Sequence, residues 1–214
     1  QVLGLSAKGG HIVEMDWDGN IVWEYTDHFQ HHAFRRLENG NTCYVRWELM
    51  PEELAAKVPG GREGSEHENG IYGDGIQEID KDGNTVWEWH FATDIEDYSK
   101  YPICAIEHRK EWAHANTICP LPDGDYLISF RQNHLIARID RDSKQFSWEM
   151  CDWKLGHQHD VQMLENGNIL VYANGAQGPY HGPNEGSRIF EIEPNSNETV
   201  WEYVGSPPYT FDSP

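Results

Sequence analysis

A short phrase centred on Trp-Glu recurs along the chain and restricts the fold more than any other feature. Its copies are Ile-Val-Trp-Glu-Tyr at 21–25, Thr-Val-Trp-Glu-Trp at 85–89, Phe-Ser-Trp-Glu-Met at 146–150 and Thr-Val-Trp-Glu-Tyr at 199–203. Four copies exclude coincidence and indicate a protein built from structural repeats. Each copy follows an alternating segment and a tight turn, as at Asp82-Gly83-Asn84. Such a pattern is typical of a β-hairpin.

A second type of hairpin alternates with the first. It begins at 32–37, 114–118 and 159–164, and it turns through Asn39-Gly40, Asp123-Gly124 and Asn166-Gly167. Two hairpins in series make one four-stranded antiparallel blade, and such blades in sequence are typical of a β-propeller, with a solenoid as the alternative. The sequence therefore predicts an all-β protein of about three and a half blades. They are a half blade at 10–25 and full blades at about 32–90, 114–150 and 159–203.

The predicted blades form a single domain over 1–214, but three and a half blades cannot close a ring. Unpaired strands at an open end invite association. We therefore expect the propeller to be incomplete in this chain, and to be completed by more sequence, by a homo-oligomer or by a second chain. Helical character is predicted only at 51–57.

Composition excludes several classes of partner. The chain has 16 Lys and Arg against 36 Asp and Glu, a formal net charge of −20, which argues against a nucleic-acid partner because phosphate binding relies on clustered cations. No apolar stretch is long enough to predict a membrane span. The four cysteines, Cys43, Cys104, Cys119 and Cys151, show no CxxC pairing; buried free thiols are favoured, with one disulfide in an oxidising compartment as the alternative.

Histidines open the first strand of each full blade, and they provide the candidate site. His32 and His159 precede their turns by seven residues, whereas His114 precedes its turn by nine, and we assign the two extra residues to the region of Pro120 and Pro122. First strands line the channel of a propeller, so we expect these three imidazoles to converge on the face that carries the long connections.

Several kinds of chemistry suit such a cluster. Arg131 adds a permanent cation at the end of a second strand, and imidazolium with guanidinium would bind an oxyanion, while a neutral imidazole serves as nucleophile or base. Three histidines beside Asp160 would also suit a transition metal. A third alternative is a non-catalytic propeller that binds a ligand or protein through Trp47, Trp112, Trp153 and Tyr180. The histidines could also serve only as hydrogen-bonding strand caps.

At these positions the sequence resembles the bacterial-type aryl-sulfate sulfotransferases, the arylsulfotransferase family of propellers. The resemblance lies in His-His-Ala-Phe-Arg-Arg-Leu-Glu-Asn-Gly-Asn at 31–41, Trp-Ala-His-Ala-Asn at 112–116, Ile-Ser-Phe-Arg at 128–131 and Gly-His-Gln-His-Asp at 156–160. The order of these histidine, asparagine and arginine motifs is more specific than the repeat phrases. Ala33 departs from the pattern, because the family usually has an acidic residue there.

The resemblance implies a six-bladed, periplasmic or secreted enzyme that moves a sulfuryl group from an aryl sulfate donor to a phenolic acceptor. It needs no nucleotide sulfate donor, and we expect no cofactor and no metal. The family's covalent histidine corresponds to His159, and its residues for sulfate oxygens and proton transfer correspond to His32, His114 and Arg131. Asn116, His31 and His157 are the further candidate substrate-binding residues.

Overall fold

Antiparallel sheets make up most of the regular structure in the computed structural model, which describes residues 2–5, 10–175 and 186–204. The first sheet has the order β1 (Val2–Leu5), β2 (His11–Met15), β3 (Ile21–Thr26). The second sheet has the order β4 (Gln30–Arg36), β5 (Thr42–Leu49), β7 (Tyr72–Ile79), β8 (Thr85–His90). The third comprises β10 (Ala115–Pro120), β11 (Tyr126–Phe130), β12 (Leu135–Ile139) and β13 (Phe146–Cys151). The fourth comprises β14 (His159–Met163), β15 (Ile169–Ala173), β16 (Arg188–Glu193) and β17 (Glu198–Val204).

The long connections contribute short elements. They are α1 (Glu52–Ala55), α2 (Phe91–Asp94), 3₁₀ turns at Tyr98–Lys100 and Trp153–Leu155, and β6 (Gly60–Arg62), which pairs in parallel with β9 (Ile103–His108). The helix α1 lies within the predicted range 51–57, whereas α2 was not predicted. None of the helices in the described parts of the chain has the length and apolar character needed to cross a membrane.

The all-β class with four-stranded antiparallel sheets is confirmed, and two details differ from the prediction. The first sheet has three strands rather than two, because β1 pairs with β2. The described residues form four separate antiparallel sheets and no closed ring, so ring closure and the number of blades stay predictions. Tyr180 and the segment 205–214 lie outside the described residues.

Consecutive sheets pack face to face because side chains alternate along each strand. Leu127 and Ile128 are neighbours in β11 and both are fully buried, but they enter different apolar clusters. Ile128 packs in the cluster with Ile76 and Trp89 of the second sheet, and Leu127 packs in the cluster with Ile169 and others of the fourth. The third sheet is therefore covered on both faces.

The repeated tryptophan links each of the first three sheets to the next. The indole N–H groups of Trp23, Trp87 and Trp148 donate to the carbonyl oxygens of Lys81, Arg141 and Pro194 at 2.9, 3.0 and 2.7 Å. Each acceptor lies in the turn between the third and fourth strands of the following sheet. The last copy, Trp201, makes no equivalent bond among the described residues, and its side chain is 47% exposed.

Candidate active site

The inner strands β4, β10 and β14 lie side by side, and each is irregular near its start. Their pairing with the next strand is interrupted after His31, Ala115 and His159. His32 and His114 adopt left-handed backbone conformations, with φ of 48° and 58°. Non-glycine residues rarely occupy this region, and such outliers cluster at functional sites. The irregular starts re-aim side chains that a regular strand would send to alternate faces.

The strand position of His114 differs from the one predicted. The turns are equivalent, because the N–H groups of Leu37, Leu121 and Leu164 all donate to the carbonyl four residues on, at 2.8 Å. Pro120 pairs with Tyr126 in regular register, so no extra residues lie there. Asn116 therefore occupies the position equivalent to His32 and His159, and His114 lies two residues earlier, just before β10.

His32 and His114 nevertheless meet. Their Nε2 atoms are 3.3 Å apart, and the ring centroids are 4.7 Å apart although the residues belong to different sheets. The backbone N–H of Arg131 donates to the carbonyl of His114 at 3.0 Å, which extends the β10–β11 pairing past the strand and fixes this residue. Nδ1 of His114 bonds to the Glu111 carboxylate, which comes from the connection after β9.

A second layer lies beneath these two rings. The His31 side chain is buried and stacks on Trp47 with a centroid distance of 4.2 Å and an interplanar angle of 11°. Nδ1 of His31 lies 2.9 Å from Nδ1 of His32, and Nε2 lies 3.2 Å from Oδ1 of the buried Asp74. His31 is therefore a support for His32 rather than an exposed surface group.

His159 is held by Asn174, a residue that follows β15. Nδ1 of His159 lies 2.8 Å from Oδ1 of Asn174. An amide oxygen only accepts, so Nδ1 carries the proton, and in the neutral ring Nε2 has the lone pair. The half-buried ring shares the electrostatic environment of the other histidines, because its charge contributes to the pKa shifts of both His32 and His157.

Arg131 supplies a permanent cation close to Glu107 and His157. Its guanidinium lies 3.9 Å from Glu107, and Nε2 of the buried His157 lies 3.5 Å from the same carboxylate. His157 stacks on His134 with a centroid distance of 5.2 Å and donates its backbone N–H to Nδ1 of His134 at 3.2 Å. The cation thus faces a buried pair of imidazoles.

Gln158 and Asn116 form the frame between β10 and β14. The Gln158 side chain is fully buried, and its amide donates to Ser129 Oγ and to the carbonyls of Phe130 and Leu135 at 3.0–3.1 Å. Asn116 is 7% exposed and donates to the carbonyl of Gln158 at 2.7 Å. Asn116, like His157, therefore occupies a supporting position behind the surface of the site.

Burial and nearby positive charge keep three of these rings neutral. Loss of hydration, followed by positive charge on His114 and His31, lowers the pKa of His32 to about 4, although the outer side of this ring is open to solvent. Burial and the charge of Arg131 lower the pKa of His157 to about 3 and that of His134 to about 4. At neutral pH these three rings are uncharged, so each keeps one nitrogen that can accept a hydrogen bond.

Three observations bear on the alternative functions. Within the described ranges, no group of three His, Cys, Asp or Glu side chains is arranged to hold a metal ion. Trp112, one of the proposed surface contacts of a binding protein, is fully buried and donates its indole N–H to the carbonyl of Tyr101 at 2.8 Å, so it cannot contact a partner. Trp153 is 48% exposed and packs over His134.

Sequence reasoning did not find five residues that complete the site. They are Asp74, Glu107, Glu111, His134 and Asn174. Of these, only Glu111 carried a local signal, because it lies three residues before His114. The others come from strands and connections whose approach to the histidines is decided by how the sheets pack.

The fold and this cluster define a repeat protein of four-stranded antiparallel sheets with a histidine-rich site where the inner strands meet. The sequence model of the arylsulfotransferase (ASST) family matches residues 54–157 and confirms the predicted family over this part of the chain. That range includes Asp74, Glu107, Glu111, His114 and Arg131.

Comparison with other proteins gives likenesses in fold. No curated protein matches the chain. A protein of unknown function from Bacteroides caccae is similar with a TM-score of 0.50 at 15% identity, over 91% of this chain and 54% of that one. Virginiamycin B lyase from Staphylococcus aureus gives 0.47 at 16% identity, over 96% and 70%. A luciferin-regenerating enzyme gives 0.49 at 12% identity, over 94% and 61%.

Proposed function

We propose that this chain carries the site of a nucleotide-independent sulfotransferase that moves a sulfuryl group from an aryl sulfate to a phenol through a sulfohistidine at His159. The observation that carries the proposal is the hydrogen bond between Nδ1 of His159 and Asn174, which leaves Nε2 free to attack. An imidazole nucleophile oriented by a second group is the usual arrangement for covalent catalysis.

The surrounding groups suit the charge that develops in such a transfer. Nε2 of His159 attacks sulfur, the bond between sulfur and the aryl oxygen breaks, and a phenolate leaves. Arg131 and the His32–His114 pair would bind the sulfate oxygens and the departing oxygen, where fixed donors contribute most. Acid–base assistance by a positioned histidine is worth about a hundred- to ten-thousandfold in rate.

The second half of the cycle reverses the first. An acceptor phenol attacks sulfur, the N–S bond breaks, and His159 returns to its neutral form, which gives a ping-pong mechanism. His31, His157 and Asn116 act through the rings and strands that they support. We place the reaction outside the cytoplasm, as is typical of the family, in a complete propeller of which these sheets are part.

Intact-mass measurement after incubation with an aryl sulfate tests the proposal. We expect the native protein to gain one sulfuryl group of about 80 Da, and the His159→Asn variant to gain none. His28→Asn is the matched control, because that histidine is exposed in the turn before β4. An adduct that persists in His159→Asn would assign the nucleophile to another residue. Native protein without any adduct or turnover would leave anion binding as the function.

A further inference from the structure

Asp74 is a buried carboxylate that needs a positive charge beside it. Its side chain is 1% exposed, Oδ1 accepts the N–H of Ala115 at 2.9 Å, and Oδ2 has no hydrogen-bond partner in the described part of the chain. Within that part, Nε2 of His31 lies in ion-pair range of Oδ1 at 3.2 Å, and this nitrogen makes no hydrogen bond. Burial of an unpaired carboxylate is costly, and a proton on this nitrogen would offset that cost.

Proton counting along the rings leads to the same conclusion. Close contacts join His31 to His32, His32 to His114, and His114 to Glu111. Burial raises the pKa of Glu111, but the hydrogen bond and the charge of His114 outweigh this and lower it, so Glu111 is an acceptor. Each contact takes one proton and Nε2 of His31 takes a fourth, whereas three neutral imidazoles carry only three. With Nε2 of His31 protonated, the three rings therefore hold one extra proton.

This proton has a path to the surface of the site. His31 gives its Nδ1 proton to Nδ1 of His32, while His32 gives its Nε2 proton to Nε2 of His114. His32 stays neutral throughout, and all the hydrogen bonds remain satisfied. The titratable and charged groups that act on these rings include Asp74 from β7, Glu111 from the connection after β9, His157 from the connection before β14 and His159 from β14.

We propose that Asp74 and Glu111 are positioning residues that keep one proton on the ring chain His31–His32–His114 for delivery to the leaving phenolate. The inference rests on the proposed sulfuryl transfer. When the aryl oxygen leaves sulfur as Nε2 of His159 bonds to it, the oxygen takes this proton through His114. In the second half-reaction, the acceptor phenol returns its proton to the chain as its oxygen bonds to sulfur, so the protons balance.

The dependence of rate on the leaving group tests this role. Phenol has a pKa of about 10 and needs a proton as it leaves, whereas the much more acidic 4-nitrophenol leaves unaided. We expect Asp74→Asn and Glu111→Gln to slow the release of phenol from phenyl sulfate by about a hundredfold and that of 4-nitrophenol by less than about threefold. An equal loss with both donors, or no loss, would overturn the proposal, because a purely structural defect does not distinguish leaving groups.

Glu48→Gln is the matched control, because Glu48 pairs with His90 at 2.7 Å in a carboxylate–histidine contact outside the chain of rings. We expect it to leave both rates unchanged. The stored proton is also measured without turnover, by ¹⁵N chemical shifts of the imidazoles at neutral pH. The shifts should show one imidazolium shared by the three rings, lost in Asp74→Asn. Three neutral rings in the native protein would refute the stored proton, even if sulfuryl transfer is observed. A missing sulfuryl adduct would instead refute the proposed sulfotransferase function alone.

Discussion

At the scale of single residues, the site is built from side chains in unusual conformations and protonation states. His32, His114, His134, His157 and Asp160 all have positive φ, between 48° and 63°. Each such residue costs about 1–3 kcal/mol, which the surrounding structure must supply. Gln158 offsets part of this conformational cost through three hydrogen bonds to the third sheet. The sequence predicted His32, His114 and His159 as site residues, but it predicted neither the contribution of His134 nor the backbone strain in this region.

The buried imidazoles should make stability fall in acid. The folded pKa of His157, about 3, and of His134, about 4, lie below the unfolded value of 6.5, so below pH 6.5 the unfolded chain binds protons that the folded chain excludes. Stability is full above pH 6.5 and falls towards pH 4, by up to about 1.4 kcal/mol per pH unit for each group. Urea unfolding at several pH values measures this slope.

His157→Gln should flatten the dependence, because glutamine does not titrate, whereas the exposed His28→Gln should leave it unchanged. A slope that is identical in the native protein and His157→Gln would contradict the assignment of a neutral buried ring.

At the scale of elements, the hairpin turns and the tryptophan contacts explain why the repeat can be recognised in the sequence. Asp16 and Asp80 open equivalent turns, and each carboxylate accepts the N–H groups two and four residues on at 2.9 Å. This local bonding is why the hairpins were predictable. The start of each inner strand was not, because the pairing of β10 with β11 is interrupted between Ala115 and Thr117, and no turn residue marks such a break in the sequence.

Removal of one tryptophan contact should weaken the link between two sheets. Trp87→Phe loses the hydrogen bond to Arg141 and part of the packing against Tyr126, at a ring distance of 5.0 Å. We expect the free energy of unfolding to fall by about 1–3 kcal/mol. Trp201→Phe, the matched change at the exposed copy, should alter it by less than about 0.5 kcal/mol. Equal effects in chemical denaturation would show that the contact carries no stability.

At the scale of the whole molecule, shared faces couple the sheets. The third sheet contributes to both large apolar clusters, so neither cluster can form without it. We expect Ile76→Ala and Ile192→Ala, in different clusters, each to cost about 2–5 kcal/mol and to shift one common unfolding transition. Near- and far-UV circular dichroism follow it. Separate transitions for the two variants would mean that the clusters unfold independently.

The sequence by itself determined the three four-stranded sheets, their hairpins, the tryptophan in each final strand and the histidines near the starts of the inner strands. It could do so because turns and strand alternation depend on neighbouring residues. Only the tertiary structure decided which side chains stand against those histidines: Asp74, Glu107 and Asn174 reach them from other strands and connections. Contacts between these residues depend on how whole sheets pack against one another, and a pattern of neighbouring residues carries no information about that packing.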